Sequence, residues 1–197
     1  MRATYDTELK TILNKADMVV PDGAGTVWAA GYLGEKMPER VAGYDLAQEL
    51  MREAPARHQK IYFFGSAPGV AEKAKEKAEA LYPGIQIVGI RNGFFTEADQ
   101  ESIVADIRDK NPDILLVALG VPKQEKWLYQ NLQELQVPVS IGVGGTLDVM
   151  AGVMQRAPLW MQKAKLEWLY RGLKQPSRAG RLIALPKFVF RVMASKK

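Results

Sequence analysis

The feature that most constrains the fold is an alternation of short apolar runs with segments of helical pattern. Residues 113–119 read DILLVAL, a run with no charged residue after Asp113, as expected of a strand buried on both faces. Further strands are predicted at 17–20, 60–64, 85–90 and 137–143. Helices separate them, predicted at 24–34, 44–54, 70–81, 97–110 and 122–135, with a first helix at 5–15. Such alternation is typical of βαβ units, so the sequence predicts an α/β fold with a parallel sheet flanked by helices.

Charge divides the chain into two predicted domains. Residues 155–197 carry eleven Lys and Arg residues against one acid, Glu167, whereas the whole chain has a net charge of only +5. Aromatic residues lie among these basic ones: Trp160, Trp168, Phe188 and Phe190. A basic, aromatic-rich helical segment is typical of an element at a membrane surface. We therefore predict a body at 1–154 and a basic membrane-associating appendage at 155–197, which Pro158, Pro176 and Pro186 divide into short helices.

Composition excludes several kinds of site. The chain has no cysteine and a single histidine, His58, so disulfides, thiolate nucleophiles and His–His metal sites are excluded. The sequence contains no Walker A motif, no G-x-S-x-G motif and no Asp-x-Asp pair, and the last of these argues against a dedicated magnesium or manganese site. We expect no metal and no cofactor, and we expect His58 to be exposed and inert.

The expected location is cytoplasmic. The beginning of the chain lacks the apolar region of a signal peptide, and no run approaches the length of a membrane span.

Glycine-rich loops follow four of the predicted strands: PDGAG at 21–25, GSAPG at 65–69, GVPKQE at 120–125 and GGTLD at 144–148. Ligands of open parallel sheets bind beyond the carboxyl ends of the strands. Glycine lets backbone N–H groups approach an anion closely. Each loop alone is also explained by ordinary turn chemistry, but the four together favour a nucleotide or diphosphate site.

Three side chains in these loops are candidates for chemistry. Asp22 lies between proline and glycine after a predicted strand, where a carboxylate can act as a general base; the alternative is a helix N-cap. Asp148 has the same two interpretations. Gln124 falls in the first turn of a predicted helix, so its amide either reaches a ligand or is solvated.

Three arginines in the basic segment form a further candidate group. Arg171, Arg178 and Arg181 are spaced by seven and three residues, which places them near one face if the segment is helical. Arginine binds phosphate through two parallel hydrogen bonds. The alternative is a solvated basic face.

Taken together, the motifs resemble the WecG/TagA/CpsF glycosyltransferases along nearly the whole chain. The motifs that carry the resemblance are PDGAGTVWA, ERVAGYDL, IYFFGSAPGVAEKA, YPGIQIVGIRNGFF, PDILLVALGVPKQEKW, IGVGGTLDVMAG and RAPLWMQKAKLEWLYRGLKQPSRAGR. The resemblance implies a Rossmann-like domain with a C-terminal appendage. Family members carry a further segment ahead of the region that matches the first helix, so this chain is expected to begin inside the family's domain.

The resemblance also implies roles for individual residues. Asp22 of the PDG motif would be the catalytic base, Gln124 would contact the donor, and Arg40 would line the same pocket. Arg171, Arg178 and Arg181 would belong to an appendage that closes over the site and act in catalysis. The full set of substrate-binding residues predicted from the loops and from the resemblance is Gly23, Gly25, Arg40, Gly65, Gly120, Lys123, Gln124, Glu125, Gly144, Gly145, Thr146 and Asp148.

The motifs are most similar to the family members of wall teichoic acid linkage-unit synthesis. The implied activity is metal-independent, inverting transfer of N-acetylmannosamine from its UDP donor to the 4-hydroxyl of GlcNAc-diphospho-undecaprenol. The expected partners are the UDP-sugar, the lipid-linked acceptor and the anionic inner face of the cell membrane, where the protein would be peripheral. A homo-oligomer is compatible with the sequence, and nucleic acid is not an expected partner.

Two alternatives remain open at this point. Another family member would use a different UDP-sugar, N-acetylmannosaminuronic acid or glucose, for a different surface polysaccharide. A non-catalytic module would use the basic segment only to bind anions.

Overall fold

The computed structural model describes residues 2–164, 166–174 and 179–195. Its helices and strands are, in chain order, α1 (Thr7–Lys15), α2 (Ala24–Leu33), α3 (Gly43–Glu53), β1 (Lys60–Gly65), α4 (Val70–Leu81), β2 (Gln86–Arg91), α5 (Gln100–Lys110), β3 (Ile114–Ala118), α6 (Lys123–Leu135), β4 (Val139–Gly142), α7 (Thr146–Met150), α8 (Leu159–Lys163), α9 (Glu167–Lys174) and α10 (Ala179–Ser195). Short 3-10 helices lie at Arg2–Thr4, Pro55–Arg57 and Glu97–Asp99.

The chain forms two compact units. The larger unit contains Arg2–Val19 and Gly43–Met154, and the smaller contains residues 20–42 together with the described residues from Gln155 onward. The division into a body at 1–154 and an appendage at 155–197 stays a prediction. In the structure, residues 20–42 group with the C-terminal residues and not with the rest of the predicted body.

The larger unit contains a parallel sheet with strand order β2-β1-β3-β4. All five residues of β3 are buried, as their uninterrupted apolar sequence predicts. The sheet is flanked by helices, so the predicted α/β class is confirmed. Four of the five predicted strands and the predicted helices of this unit are present with boundaries shifted by at most a few residues.

Alternate side chains of the central strands enter two separate cores. Ile61 and Phe63 of β1 pack on one face with residues of α3, α4 and α7. Tyr62 and Phe64 pack on the opposite face with residues of α5 and α6. The period-two alternation of side chains therefore requires helices on both faces of the sheet. Burial, together with the nearby Asp106 carboxylate, raises the pKa of the Tyr62 hydroxyl, which donates a hydrogen bond to that carboxylate.

The first helix is tied to α6 by charge. The Lys126 ammonium lies 3.0 Å from the Asp6 carboxylate and 2.6 Å from that of Glu8. Asp6 also caps α1, because its carboxylate accepts a hydrogen bond from the Leu9 N–H. That backbone bond, followed by Lys126, lowers the pKa of Asp6.

The predicted strand at 17–20 is wrong. These residues have no regular secondary structure, and Met18 and Val19 are 79% and 62% exposed. A short apolar segment becomes a strand only when a neighbouring strand satisfies its backbone groups, and no strand within the described residues pairs with this one.

The predicted break at Pro186 is also wrong, because α10 continues through it. Proline removes one helical hydrogen bond, and packing of α10 on α2 offsets that loss. The Trp28 ring of α2 and the Phe188 ring of α10 pack edge to face, with their centroids 6.5 Å apart. Pro158 does precede a helix, as the N-cap of α8. Pro176 lies outside the described residues.

Gly65 at the end of β1 provides a stability test. Its φ is +128°, and a Cβ atom built there would lie 2.5 Å from the main chain of Ala118. Gly65→Ala should therefore lower the free energy of unfolding by about 2–4 kcal/mol, measured by urea denaturation. The control is Gly31→Ala, since a Cβ there meets nothing within 4 Å; it should be neutral or stabilise the helix by up to about 1 kcal/mol. Equal effects of the two substitutions on the free energy of unfolding would contradict the conclusion that position 65 requires glycine.

Candidate active site

Three of the predicted glycine loops meet at the carboxyl edge of the sheet. They follow β1, β3 and β4, which are adjacent and parallel. The helix after β1, α4, packs with the core on one face, and the helix after β3, α6, packs with the core on the other. The chain therefore leaves β1 and β3 in opposite directions, which opens a crevice between their ends, the usual ligand site of such sheets.

Gln124 joins two of these loops. Its side chain is buried, with the residue 3% exposed, and its Oε1 accepts hydrogen bonds from the N–H groups of Gly120 at 3.1 Å and Gly144 at 3.0 Å. Its Nε2 donates to Glu125 Oε1 at 2.8 Å. The resemblance implies that Gln124 contacts the donor, and this stays a prediction; in the structure its side-chain oxygen and the two glycine N–H groups are bonded to each other, and the side chain is buried and not solvated. Gln124 thus sets the spacing of the two loops.

Gly142 makes room for that side chain. A Cβ atom at this position would lie 2.4 Å from Gln124 Nε2. The end of β4 and the first turn of α6 are therefore fitted to each other.

Ser66 lies in the predicted loop at 65–69, but the sequence did not single it out as a candidate residue. It has a φ of +60°, and its hydroxyl donates to Asp148 Oδ2 at 3.1 Å. The Ser66 backbone N–H donates to the Ala118 carbonyl at 2.9 Å, and the Ser66 carbonyl accepts a hydrogen bond from the Gly93 N–H at 2.8 Å. A positive φ is uncommon for a non-glycine residue, and these two backbone bonds hold Ser66 in that conformation. The signal in the sequence is a serine directly after the glycine that ends an apolar strand.

The remaining predicted residues at this edge contribute charge and capping. The Lys123 ammonium lies 4.3 Å from the centre of the Phe95 ring and 3.5 Å from the Gly93 carbonyl oxygen. Gly145 is the N-cap of α7. The buried Thr146 hydroxyl donates to the Val143 carbonyl at 2.7 Å. Glu125 Oε2 is buried without a hydrogen-bond partner among the described atoms.

A second group of predicted residues lies in the smaller unit, around Asp22. Asp22 neither follows a strand nor caps a helix: residues 17–22 are irregular, and the N-cap of α2 is Gly23. The prediction that Asp22 lies at a strand end is therefore wrong, because the segment before it does not pair. The loop is instead held by a backbone hydrogen bond from Val41 N–H to the Pro21 carbonyl at 3.1 Å. The Asp22 side chain remains 60% exposed.

Arg40 contacts Asp22 and a residue of the C-terminal segment. Its Nε donates to the main-chain oxygen of Asp22, and its terminal nitrogen lies 3.5 Å from the Asp22 carboxylate and 3.1 Å from that of Glu167. Arg156 lies 3.4 Å from the other Glu167 oxygen. Glu167 is a second residue that the sequence reasoning did not assign to the site, although it is the one acid among residues 155–197.

Of the other predicted residues of this unit, Gly25 has a role in packing, and the side chains of the three arginines lie outside the described residues. A Cβ atom at Gly25 would lie 3.4 Å from the Phe188 ring, so Gly25 allows α2 and α10 to pack closely. Arg171 and Arg181 lie in α9 and α10. Their side chains, and Arg178 as a whole, lie outside the described part of the chain. His58, in the larger unit, is exposed as predicted.

Two observations concern metals and membranes. Within residues 2–164, 166–174 and 179–195, no group of three or more His, Asp or Glu side chains is arranged to hold a metal ion. In the same part of the chain, no helix has both the length and the apolar character needed to cross a bilayer.

The model of the Glycosyl transferase WecG/TagA/CpsF family matches residues 1–197. Similar proteins include the N-acetylglucosaminyldiphosphoundecaprenol N-acetyl-beta-D-mannosaminyltransferases of Bacillus spizizenii and Bacillus subtilis, each 33% identical over 99% of this chain and 75% of the relative. The enzyme of the same name from Staphylococcus aureus is 33% identical over 99% of this chain and 76% of the relative.

Gln124→Ala tests the role of Gln124 at the sheet edge. It removes the acceptor of two backbone N–H groups, so the free energy of unfolding should fall by about 2–4 kcal/mol. The control is Gln133→Ala, at an exposed position of the same helix, which should change it by less than about 0.5 kcal/mol. Chemical denaturation measures both. If Gln124→Ala were as stable as the control, Gln124 would not hold the loops.

Proposed function

Because the chain belongs to the WecG/TagA/CpsF glycosyltransferase family, we propose that it transfers N-acetylmannosamine, with inversion, from UDP-N-acetylmannosamine to the 4-hydroxyl of GlcNAc-diphospho-undecaprenol. The observation that carries the proposal is the match of 99% of the chain to relatives named for this acceptor and this transferred sugar. The enzyme would act at the anionic face of the membrane that holds its lipid acceptor.

The proposed chemistry is a single displacement. The acceptor 4-oxygen attacks C1 of the donor sugar and gives its proton to the Asp22 carboxylate. The bond between C1 and the diphosphate oxygen breaks, and its electron pair leaves with UDP. The exposure of Asp22, 60% of the side chain, supports this role, because a base must be reachable by the hydroxyl that it deprotonates.

Two groups of residues are proposed to bind the donor. The carboxyl edge of the sheet offers the crevice between β1 and β3, with Lys123 supplying positive charge and Gly65, Gly120, Gly144, Gly145, Thr146 and Asp148 lining the loops. Arg171, Arg178 and Arg181 would stabilise the departing diphosphate through bidentate hydrogen bonds. Both groups suit a ligand that carries two phosphates.

The direct test is transfer assayed by mass spectrometry of the lipid product. The protein is incubated with a GlcNAc-diphospho-lipid analogue and, in parallel, with UDP-N-acetylmannosamine, UDP-N-acetylmannosaminuronic acid or UDP-glucose. The proposal predicts addition of one N-acetylhexosamine from the first donor only. Transfer from another donor would reassign the substrate, and no transfer from any would reject the enzymatic function for this chain.

Asp22→Asn tests the proposed base. Loss of a general base lowers the rate by a factor of about 100 to 10,000, so kcat should fall by that amount while the thermal unfolding transition stays unchanged. Asp17→Asn, at an exposed position five residues earlier, is the matched control and should retain normal turnover. A folded Asp22→Asn protein with near-normal kcat would assign the base elsewhere.

Membrane association is proposed for the basic segment. The smaller unit exposes apolar side chains at Leu159, Trp160, Leu173, Phe190 and Met193, and basic residues surround them in sequence. Near an anionic leaflet each Lys or Arg contributes about 1 kcal/mol. Apolar contact and positive charge on one segment would together hold the protein at the surface.

Charge reversal tests this association by flotation with vesicles that contain anionic lipid. Changing three exposed lysines of the smaller unit, Lys163, Lys174 and Lys187, to Glu should abolish flotation while turnover of a water-soluble acceptor analogue persists. The control reverses three exposed lysines of the larger unit: Lys73, Lys77 and Lys110. Both proteins have the same net charge, so an equal loss of flotation would show that overall charge, and not this segment, determines binding.

A further inference from the structure

Glu167 is unusual in both sequence and structure. It is the one acid among eleven basic residues in the C-terminal 155–197, yet its side chain is only 5% exposed. A buried carboxylate is unfavourable unless charged partners surround it. Arg40 and Arg156 are such partners, one at each oxygen, at 3.1 Å and 3.4 Å.

The contact to Arg40 reaches the proposed base. The Arg40 guanidinium donates through Nε to the main-chain oxygen of Asp22, while its terminal nitrogen lies nearer to Glu167, at 3.1 Å, than to the Asp22 carboxylate, at 3.5 Å. The shorter and more buried of the two ion pairs fixes the direction of the guanidinium. Arg40 is therefore held against the Asp22 loop by Glu167, and the Asp22 carboxylate is left exposed.

This chain of contacts links distant parts of the sequence. Asp22 and Arg40 are 18 residues apart, but Arg40 and Glu167 are separated by 127. Glu167 opens α9, in the basic segment. Docking of that segment and the orientation of Arg40 therefore depend on the same ion pair.

We propose that Glu167 is a positioning residue, which holds the Arg40 guanidinium against the Asp22 loop and so makes the proposed base productive only when the C-terminal segment is docked. This inference rests on the proposed transferase function. It assigns to the one acid of the basic segment a role in turnover that is separate from membrane binding and from contact with the donor diphosphate.

The test is a double-mutant cycle on turnover, with wild type, Glu167→Gln, Arg40→Gln and the double variant. Glu167→Gln should lower kcat about tenfold or more and leave the KM for the UDP-sugar within about twofold, as expected when the reacting geometry is lost but ground-state binding is not. If Glu167 acts through Arg40, the double variant should be no slower than Arg40→Gln alone. The matched control is Glu49→Gln, which removes an exposed ion pair with Arg52 and should leave kcat unchanged.

Two further measurements keep a folding defect apart from a positioning defect. Thermal unfolding of each variant sets a temperature at which all are folded. Glu167→Asp keeps the charge, so it should recover part of the lost kcat, and it replaces Glu167→Gln in the cycle if the latter does not fold.

The outcomes are distinguishable. A folded Glu167→Gln protein with wild-type kcat, or a double variant whose loss is the product of the two single losses, would overturn the positioning role and leave the transferase function standing. A wild-type protein that transfers no sugar would overturn the proposed function itself.

Discussion

The burial of β1 and β3 on both faces is the constraint from which the larger unit follows. Ile61 and Phe63 need one apolar layer and Tyr62 and Phe64 need another, so helices must cover the sheet on both sides. Parallel strands need crossover connections, and these helices supply them. Since α4 and α6 then lie on opposite faces, a crevice at the carboxyl edge is a consequence of packing, present before any ligand contact is considered.

That edge is held together by a few polar groups that are buried or partly buried. The Gln124 carboxamide spans the loops after β3 and β4, and the Ser66 hydroxyl reaches Asp148 at the start of α7. Bonds of this kind contribute modestly when made, but leaving the same buried groups unpaired is costly. The loops are thus held in one arrangement, and a preorganised arrangement is what a site for a diphosphate requires.

The sequence predicts the parts of the fold that depend on local pattern. The run at 113–119 predicts β3 because an uninterrupted apolar run of strand length suits a strand that is buried on both faces, and the Gly-Ser and Gly-Val-Pro turns mark the strand ends. The segment at 17–20 has the same apolar character but no partner strand, and pairing is not visible in local sequence. Pro186 suggests a helix end, yet packing of Phe188 on α2 keeps α10 continuous.

The site is less predictable than the fold, because its contacts join residues far apart in the chain. Gln124 and Glu125 are recognisable as polar residues in a first helical turn, but the bond from the Gly144 N–H to Gln124 crosses 20 residues. Glu167 stands out in sequence only as the exception in a basic segment, and its two arginine partners are known only from the structure. The charge pattern of the sequence can identify such an exception, but it cannot show which residues form ion pairs with it.

Central to the proposed function is binding of the UDP moiety of the donor at the carboxyl edge of the sheet. Nuclear magnetic resonance of the full chain titrated with UDP tests it directly. If UDP binds at this edge, the backbone amide signals of Ser66, Gly145 and Thr146 should shift, while those of Lys60, Ile114 and Val139, at the amino ends of the strands, should not. Shifts confined to the amino ends, or an unchanged carboxyl edge at UDP concentrations that inhibit transfer, would contradict it.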